Sequence, residues 1–278
     1  MVVNSVFNSI EGFDKIFLEE SDLQLVKESL PFTMKMLELM VNQSPESPDL
    51  LLSAAQIYTL YGYGFIYRDA EKMRDEDIYE ASRLRFRARN FLNRAKQSAL
   101  EGLEIKYPGF MNQIEQNPGL ALIRTNMEDV STLYWLAASW GALISISKDQ
   151  QEEIVNLPII GEIIDSGLKW NAAYDSGALH ELKFSFMINQ PILSEEDRMT
   201  ALHHYEKAVE LSDGKRGSVY VAYAESVCVS NQDKKTFLEK LNLALSIDLE
   251  EKPEFKLSNA LAQERAEWLK EKIDDLFF

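Results

Sequence analysis

From about Ser21 to its end, the chain repeats apolar residues at the three-to-four-residue period of an α-helix, and no run alternates cleanly as a strand would. A chain of 278 residues built on that one period has to bury its apolar stripes helix against helix. The expected fold class is therefore all-α, with helix above about 65% of residues. Ser21 caps a first helix to Val41, with Leu25, Ser29, Phe32, Met36, Leu39 and Met40 on its buried side and Pro31 as a kink or break. Ser47-Pro48 opens a second to about Arg68, because a proline in the first turn gives up an N–H that has no helical acceptor anyway. A long charged helix runs from Asp75 to about Tyr107 and stops at Pro108-Gly109. Phe110 to Asn126 reads as loop with at most one short helix. Beyond it, helices are expected over 129–147, from Asp149 with an interruption at Pro158 to Trp170, and over 175–187, 194–211, 217–227, 231–247 and 253–276. Ser194 and Asn231 supply N-caps with acids in the first turn.

Paired helices of this length with short connections suggest helical hairpin repeats, and the spacing of small and large residues tests the idea. A TPR unit of about 34 residues asks its second helix for a small residue, a large one four later and a small one three after that. Ala201, Tyr205 and Ala208 meet that frame, and Phe237, Leu241 and Ala244 repeat it with the first position enlarged. Ile160, Ile164 and Gly167 fit loosely, and Ala95, Ala99 and Gly102 give a further degraded copy. The first-helix pattern occurs as Leu51, Ala54, Ala55 and Tyr58, and as Tyr220, Tyr223, Ala224 and Val227. Small residues let two helices approach closely while the aromatic fills the gap to the next pair. The sequence thus reads as irregular TPR-like hairpins in one domain over 21–278, behind an N-terminal extension of residues 1–20.

Charge narrows the partners. There are 29 Lys and Arg against 45 Asp and Glu, a formal net of −16, so the surface repels nucleic-acid phosphates and anionic lipid headgroups. The basic cluster Arg83, Arg85, Arg87, Arg89 and Arg94 spreads around a helix and reads as a solvated face paired with nearby acids. The single cysteine, Cys228, excludes an intramolecular disulfide and any multi-cysteine metal site, and its helical surroundings mark it as a core residue. The start of the chain shows no signal peptide. The longest strongly apolar stretch, Leu133 to Ile146, is too short to span a bilayer and reads as a buried helix.

No catalytic pattern emerges, no cofactor is expected, and the chain reads as a binding protein with no enzymatic activity. His180-Glu181 starts like a zincin helix, but Phe184 occupies the place of the second histidine. His203 and His204 diverge as neighbours on a helix and cannot chelate one metal together. Gly214-Lys215-Arg216-Gly217-Ser218 lacks the phosphate-loop spacing and a preceding strand, and reads as a turn between helices. Aromatics remain: Tyr58, Tyr61, Tyr63, Phe65 and Tyr67 crowd one helix at spacings that cannot all face one core, and Tyr134, Trp135 and Trp140 crowd another. Packing between helices explains each group; so does a groove or pore lined by tyrosines. His180 and Glu225 pose the same choice between core polar group and ligand contact.

Taken in order, several segments resemble the T-component (TatT) family of tripartite ATP-independent periplasmic (TRAP) transporters. They are Ser21-Asp22-Leu23, Ser29-Leu30-Pro31-Phe32, Tyr58 to Tyr63 and Tyr107-Pro108-Gly109-Phe110. Then come Asp129-Val130 with Leu133-Tyr134-Trp135 and Trp140-Gly141-Ala142, Gly177-Ala178-Leu179-His180-Glu181, Gly214-Lys215 with Tyr220-Val221 and Ala224-Glu225-Ser226, and Asn259 to Leu269. The resemblance covers residues 20–277 and implies a TPR-like periplasmic lipoprotein that docks the solute-binding subunit of the transporter. It further implies a homo-oligomer, with trimers as one form, and a pore or cleft facing the partner and its small organic ligand. The chain departs from the family in having no lipobox cysteine or signal segment near Met1, which makes Met1 a start downstream of them. On this reading the contact residues are Tyr61, Tyr63, Tyr134, Trp135, Trp140, His180, Tyr220 and Glu225. A generic TPR scaffold that binds peptides is the alternative, and an enzyme on a helical scaffold the third.

Overall fold

A computed structural model of the chain describes residues 15–147, 154–190 and 192–278. Caps start several helices close to where the sequence places them. In α1 (Leu23–Gln43) the Asp22 carboxylate accepts from Leu25 N at 3.0 Å, and the helix continues through Pro31 without ending there. In α2 (Pro48–Thr59) Ser47 is the cap and Pro48 sits in the first turn. The second expected helix then widens into a π-helical stretch, Leu60–Tyr67, before closing as α3 (Arg68–Met73). Asp77 caps α4 (Ile78–Lys106), its carboxylate accepting from Tyr79 N and Glu80 N at 3.0 Å, so the long helix starts three residues after Asp75.

The loop expected over 110–126 contains two short helices, α5 (Phe110–Gln116) and α6 (Pro118–Leu122). Gly109 turns left-handed at φ 85°, and the Glu104 carboxylate accepts from Gly109 N at 2.6 Å and Met111 N at 2.8 Å. Asn117 then caps α6 with Pro118 behind it, so the residues that suggest a loop are the punctuation between two helices. Next come α7 (Val130–Ser145) and α8 (Leu157–Trp170), with Pro158 in the first turn of α8; the proposed start at Asp149 lies outside the described residues. The remaining helices are α9 (Ala178–Ile188), α10 (Glu195–Leu211), α11 (Gly217–Tyr223), α12 (Lys234–Leu245), α13 (Lys256–Glu271) and α14 (Ile273–Leu276). A second π-helical stretch, Ala224–Cys228, prolongs α11, and the cap of α12 is Asp233, not Asn231. No strand occurs among the described residues, and the fold is all-α with helix above the expected share.

The chain divides into two compact units, Lys27–Tyr174 and Asp175–Phe278, the latter together with the segment up to Val26. In the first, α4 packs against α2, the π-helical stretch, α3 and α7, while α7 also packs on α2 and α8. Ala81, Ala88, Ala95, Ala99 and Gly102 line the buried side of α4, and their small size allows those approaches. In the second, α9 pairs with α10, and α11, α12 and α13 pack on one another around Phe184, Tyr205, Val219, Phe237, Leu241 and Ala266. Ala201, Tyr205 and Ala208 are all buried, and the Gly177 position lies 3.1 Å from Ala208 Cα when given a Cβ.

The buried face of α1 is not the expected one. Val26, Leu30, Thr33, Met34 and Leu37 are buried, whereas Leu25, Phe32, Met36 and Leu39 are exposed, Phe32 at 72%. The helix carries two apolar stripes offset by about one residue, and periodicity cannot say which one meets the core.

Glycine separates two helix interiors cleanly. A Cβ at Gly62 would stand 3.0 Å from Phe91 Cβ and 3.2 Å from the Ala88 carbonyl, neither of which can swing away. At Gly141 the nearest atom is 4.0 Å off. Gly62→Ala should therefore destabilise by about 1–3 kcal/mol, and Gly141→Ala should stabilise by about 0.5–1 kcal/mol through the lost freedom of the unfolded chain. Denaturant midpoints of the two variants, moving in opposite directions from wild type, check the packing of α2 and its π extension on α4.

Candidate functional site

The aromatic helix resolves once its π-helical part is seen. A wider turn spaces equivalent positions about four residues apart, so Tyr61 and Phe65 turn inward while Tyr63 and Tyr67 share the other side. Tyr63 and Tyr67 stack with centroids 5.4 Å apart, and the Arg68 guanidinium lies 5.2 Å over Tyr63. Tyr61 is buried edge-on against Phe91 at 5.0 Å, and its hydroxyl accepts from Arg87 at 3.0 Å. One turn before it, Arg94 lies 4.1 Å over Tyr58 and bonds both the Tyr58 hydroxyl and Glu38. Desolvation pushes the Glu38 carboxyl up, but hydrogen bonds from Lys35 and Arg94 outweigh it and bring it down to about 2. Burial raises the Tyr58 hydroxyl to about 12. The arginine cluster is thus not a uniformly solvated face: Arg83 pairs with Glu80 on the surface, while Arg87 and Arg94 are set against tyrosine rings.

On α7 the aromatics part company. Trp140 is 2% exposed, its ring under the Lys96 ammonium at 5.0 Å. Tyr134 and Trp135 stand on the half-buried side, edge to face at 5.2 Å, next to Ser131, Ala138 and Gly141. Tyr174 extends the group 5.4 Å from Tyr134 and donates its hydroxyl to Ser131 Oγ at 3.0 Å.

The other three expected residues belong to the second unit. Tyr220 is buried and donates to the carbonyl of Gly214, whose φ of 68° makes the turn before α11. Glu225, in the second π-helical stretch, accepts from Arg265 Nε at 3.0 Å and from Nη2 of the same guanidinium. His180 Nδ1 lies 2.8 Å from His204 Nδ1, a contact that needs one imidazole to donate and the other to accept. The histidine expected to be unable to chelate beside its neighbour thus pairs across two helices instead.

Two residues that hold this unit were outside the expected set. Asn259, buried, accepts from Gly217 N at 2.8 Å and donates to Lys215 O at 2.9 Å, which fixes the turn into α11. Arg216, also buried, donates to the Asp175 carboxylate at 2.8 Å and stacks 4.6 Å over Phe255. Burial raises the Glu181 carboxyl beside it, against the pull of Arg216. Only the polar letters of Gly214 to Ser218 hinted that this turn needed holding. Among the described residues no group of three or more His, Cys, Asp or Glu could hold a metal ion, and no helix is long and apolar enough to cross a membrane.

Among the described residues the chain is all-helical, its polar side chains bridge helix to helix, and half-buried aromatics lie on helix faces. The TRAP transporter T-component family matches residues 19–277, and the chain belongs to that family. It is a component of a TRAP transporter. A curated relative from Treponema pallidum (strain Nichols), described as an uncharacterized protein, is 28% identical over 274 residues, covering 95% of this chain and 83% of that protein.

The histidine pair gives a pH test. Desolvation, with His203 and Lys207 nearby, holds His180 below the usual imidazole range. The unfolded chain therefore takes a proton that the folded one resists, and stability should fall as pH drops below about 6.5. Thermal midpoints of wild type should decline between about pH 7.5 and pH 5.5, and His180→Gln should show a shallower decline over the same range.

Proposed function

We propose that this T component binds the solute-binding subunit of its TRAP transporter directly, through the half-buried aromatic side of α7 and the Tyr63–Tyr67 pair. The observation that carries the reading is the placement of Tyr134 and Trp135: large amphipathic rings left half-covered beside small residues on a helix whose other side is core. Tyrosine and tryptophan bring much contact area for little rotamer entropy, and small neighbours let a partner approach the ring faces. Tyr61 and Trp140 are buried on the helices that carry those aromatics, Tyr220 is buried within the second unit, and His180 and Glu225 serve through the helix pairs they hold. The protein acts by binding and catalyses no reaction. It works in the periplasm on a lipid anchor attached in the precursor, and its partner's small organic ligand passes close to it.

The same reading includes self-association, with a trimer as one form. Leu25, Phe32, Met36 and Leu39 are exposed on α1 at steps of seven, four and three residues, the spacing of a coiled-coil seam. A second copy of the chain offers the same seam.

At −16 the chain favours a partner with a basic patch, so added salt should slow association more than it speeds dissociation. Trp135→Ala and Tyr134→Ala, which lie away from the core, should keep the wild-type thermal midpoint and weaken capture of the solute-binding subunit about tenfold or more. Binding and melting measured on the same preparations decide it. Stable variants that bind normally, or wild type that does not bind at about 50 µM, would remove this reading in favour of a generic peptide-binding scaffold.

A further inference from the structure

Between Ser82 and Ser98, α4 carries six basic residues and no acidic one, in a chain whose acids outnumber its bases by 45 to 29. On the helix they form two rows. Arg83, Arg87 and Arg94 follow one another at steps of four and seven, and Arg85, Arg89 and Lys96 repeat those steps two residues later. The line between the rows faces solvent: Tyr79, Ser82, Phe86, Asn90 and Asn93 are all exposed, Tyr79 at 86% and Phe86 at 63%. The core holds the helix by its other side, through Ala81, Ala88 and Ala95. The nearby acids are Glu80, bonded to Arg83, and the Asp75, Glu76 and Asp77 of the turn before the helix. In the second row Arg85 and Lys96 have no carboxylate partner among the described residues, whereas Arg83 and Arg94 in the first do.

A line of exposed rings between two rows of cations suits an extended, flat polyanion, because a convex helix face has no recess to enclose a small ligand. The guanidinium fork bonds phosphate oxygens in pairs, and five of the six cations are arginine. Tyrosine settles at the level of lipid headgroups, and phenylalanine beside it reaches the acyl boundary. We propose that the outer face of α4 rests on an anionic lipid surface, with Arg85, Arg89 and Lys96 against phosphates and Tyr79 and Phe86 among the headgroups. The rest of the chain carries the acidic excess and is repelled by the same surface, so contact is confined to this face. An acidic protein segment would match the cations alone. Rings this exposed call for an apolar layer beneath the charge, which a bilayer supplies along the whole helix. The proposed function enters only through the lipid anchor, which would keep headgroups close to the chain; the contact itself stands on these residues.

Sedimentation of the full chain with sucrose-loaded vesicles tests the contact. The chain should bind vesicles of mixed phosphatidylcholine and phosphatidylglycerol, ignore pure phosphatidylcholine, and come off in high salt. Arg85→Gln with Arg89→Gln, at an unchanged melting temperature, should weaken binding about tenfold or more. Lys234→Gln with Lys235→Gln makes the same change of net charge on α12 and should bind as wild type. Phe86→Ser, at an exposed position where folding is not at stake, should also weaken binding, whereas Phe32→Ser, at an exposed ring of α1, should not. No binding to the mixed vesicles, equal binding to both kinds, or equal losses in the α4 variants and their controls would each overturn the face. Capture of the solute-binding subunit by the same proteins separates the two ideas. Lost capture in the double arginine variant, with a wild type that ignores vesicles, gives the face to an acidic protein and overturns the lipid contact. Vesicle binding by a wild type that captures nothing sinks only the partner reading.

Discussion

Close approach along α4 is the constraint from which the first unit is built. Ala81, Ala88, Ala95 and Gly102 recur every seven residues on its buried side, with Ala99 between the last two. Along that row nothing bulkier than a methyl group stands out from the backbone, with Leu92, Leu100 and Leu103 filling the space beside it, so α2 and α7 can both reach α4 and each other. Gly62 extends the same logic across the interface, since the π-helical stretch lies nearly against the Ala88 carbonyl. With backbones that near, the large side chains are displaced to the flanks, and Phe91, Tyr58 and Tyr61 fill the space there under the arginines.

At the far end of α4, a buried carboxylate does what small residues cannot. Asp129 is inaccessible to solvent, yet it accepts from Lys106, from the Tyr107 hydroxyl at 2.6 Å and from Asn126 N at 2.9 Å. Three donors satisfy the charge that burial would otherwise make expensive. The cluster joins the last turn of α4 to the turn that opens α7, and so sets the direction in which the Tyr134–Trp135 side of α7 faces. Removing the carboxylate would leave the Lys106 ammonium without its partner and α7 without its start.

Where sequence reasoning succeeded, the signal was local. Ser47 and Ser194 cap their helices because a hydroxyl just before the first turn can accept from an N–H there that has no helical acceptor, Leu50 N and Asp197 N respectively. The frame Ala201, Tyr205, Ala208 landed in the core because three residues on one helix share one face. The failures were of another kind. On α1 two apolar stripes compete, and only the tertiary packing chooses Leu30 and Met34 over Phe32 and Met36. The π-helical stretches at Leu60–Tyr67 and Ala224–Cys228 have no letter code, so the tyrosines of the first looked irreconcilable at a 3.6-residue period. Lys96 escaped notice because one lysine on a charged helix looks like any other until the indole beneath it is seen. Asn259 has its effect 42 residues away in sequence, at Gly217, beyond any local pattern.

The two π-helical stretches carry the comparison between units a step further. Each prolongs a helix that opens a pair, α2 in the first unit and α11 in the second, and each holds a side chain spent on a ring or ion contact. In the first the widened turn turns Tyr63 and Tyr67 away from the core, and in the second it delivers Glu225 to Arg265. A π turn costs hydrogen-bond geometry relative to an α turn, and it persists only where the surroundings gain from it. In both units the gain has the same form: a polar or aromatic group from an otherwise buried helix is brought round to a half-open face. A helical protein has few ways to present such groups without breaking a helix, and this chain uses one of them twice.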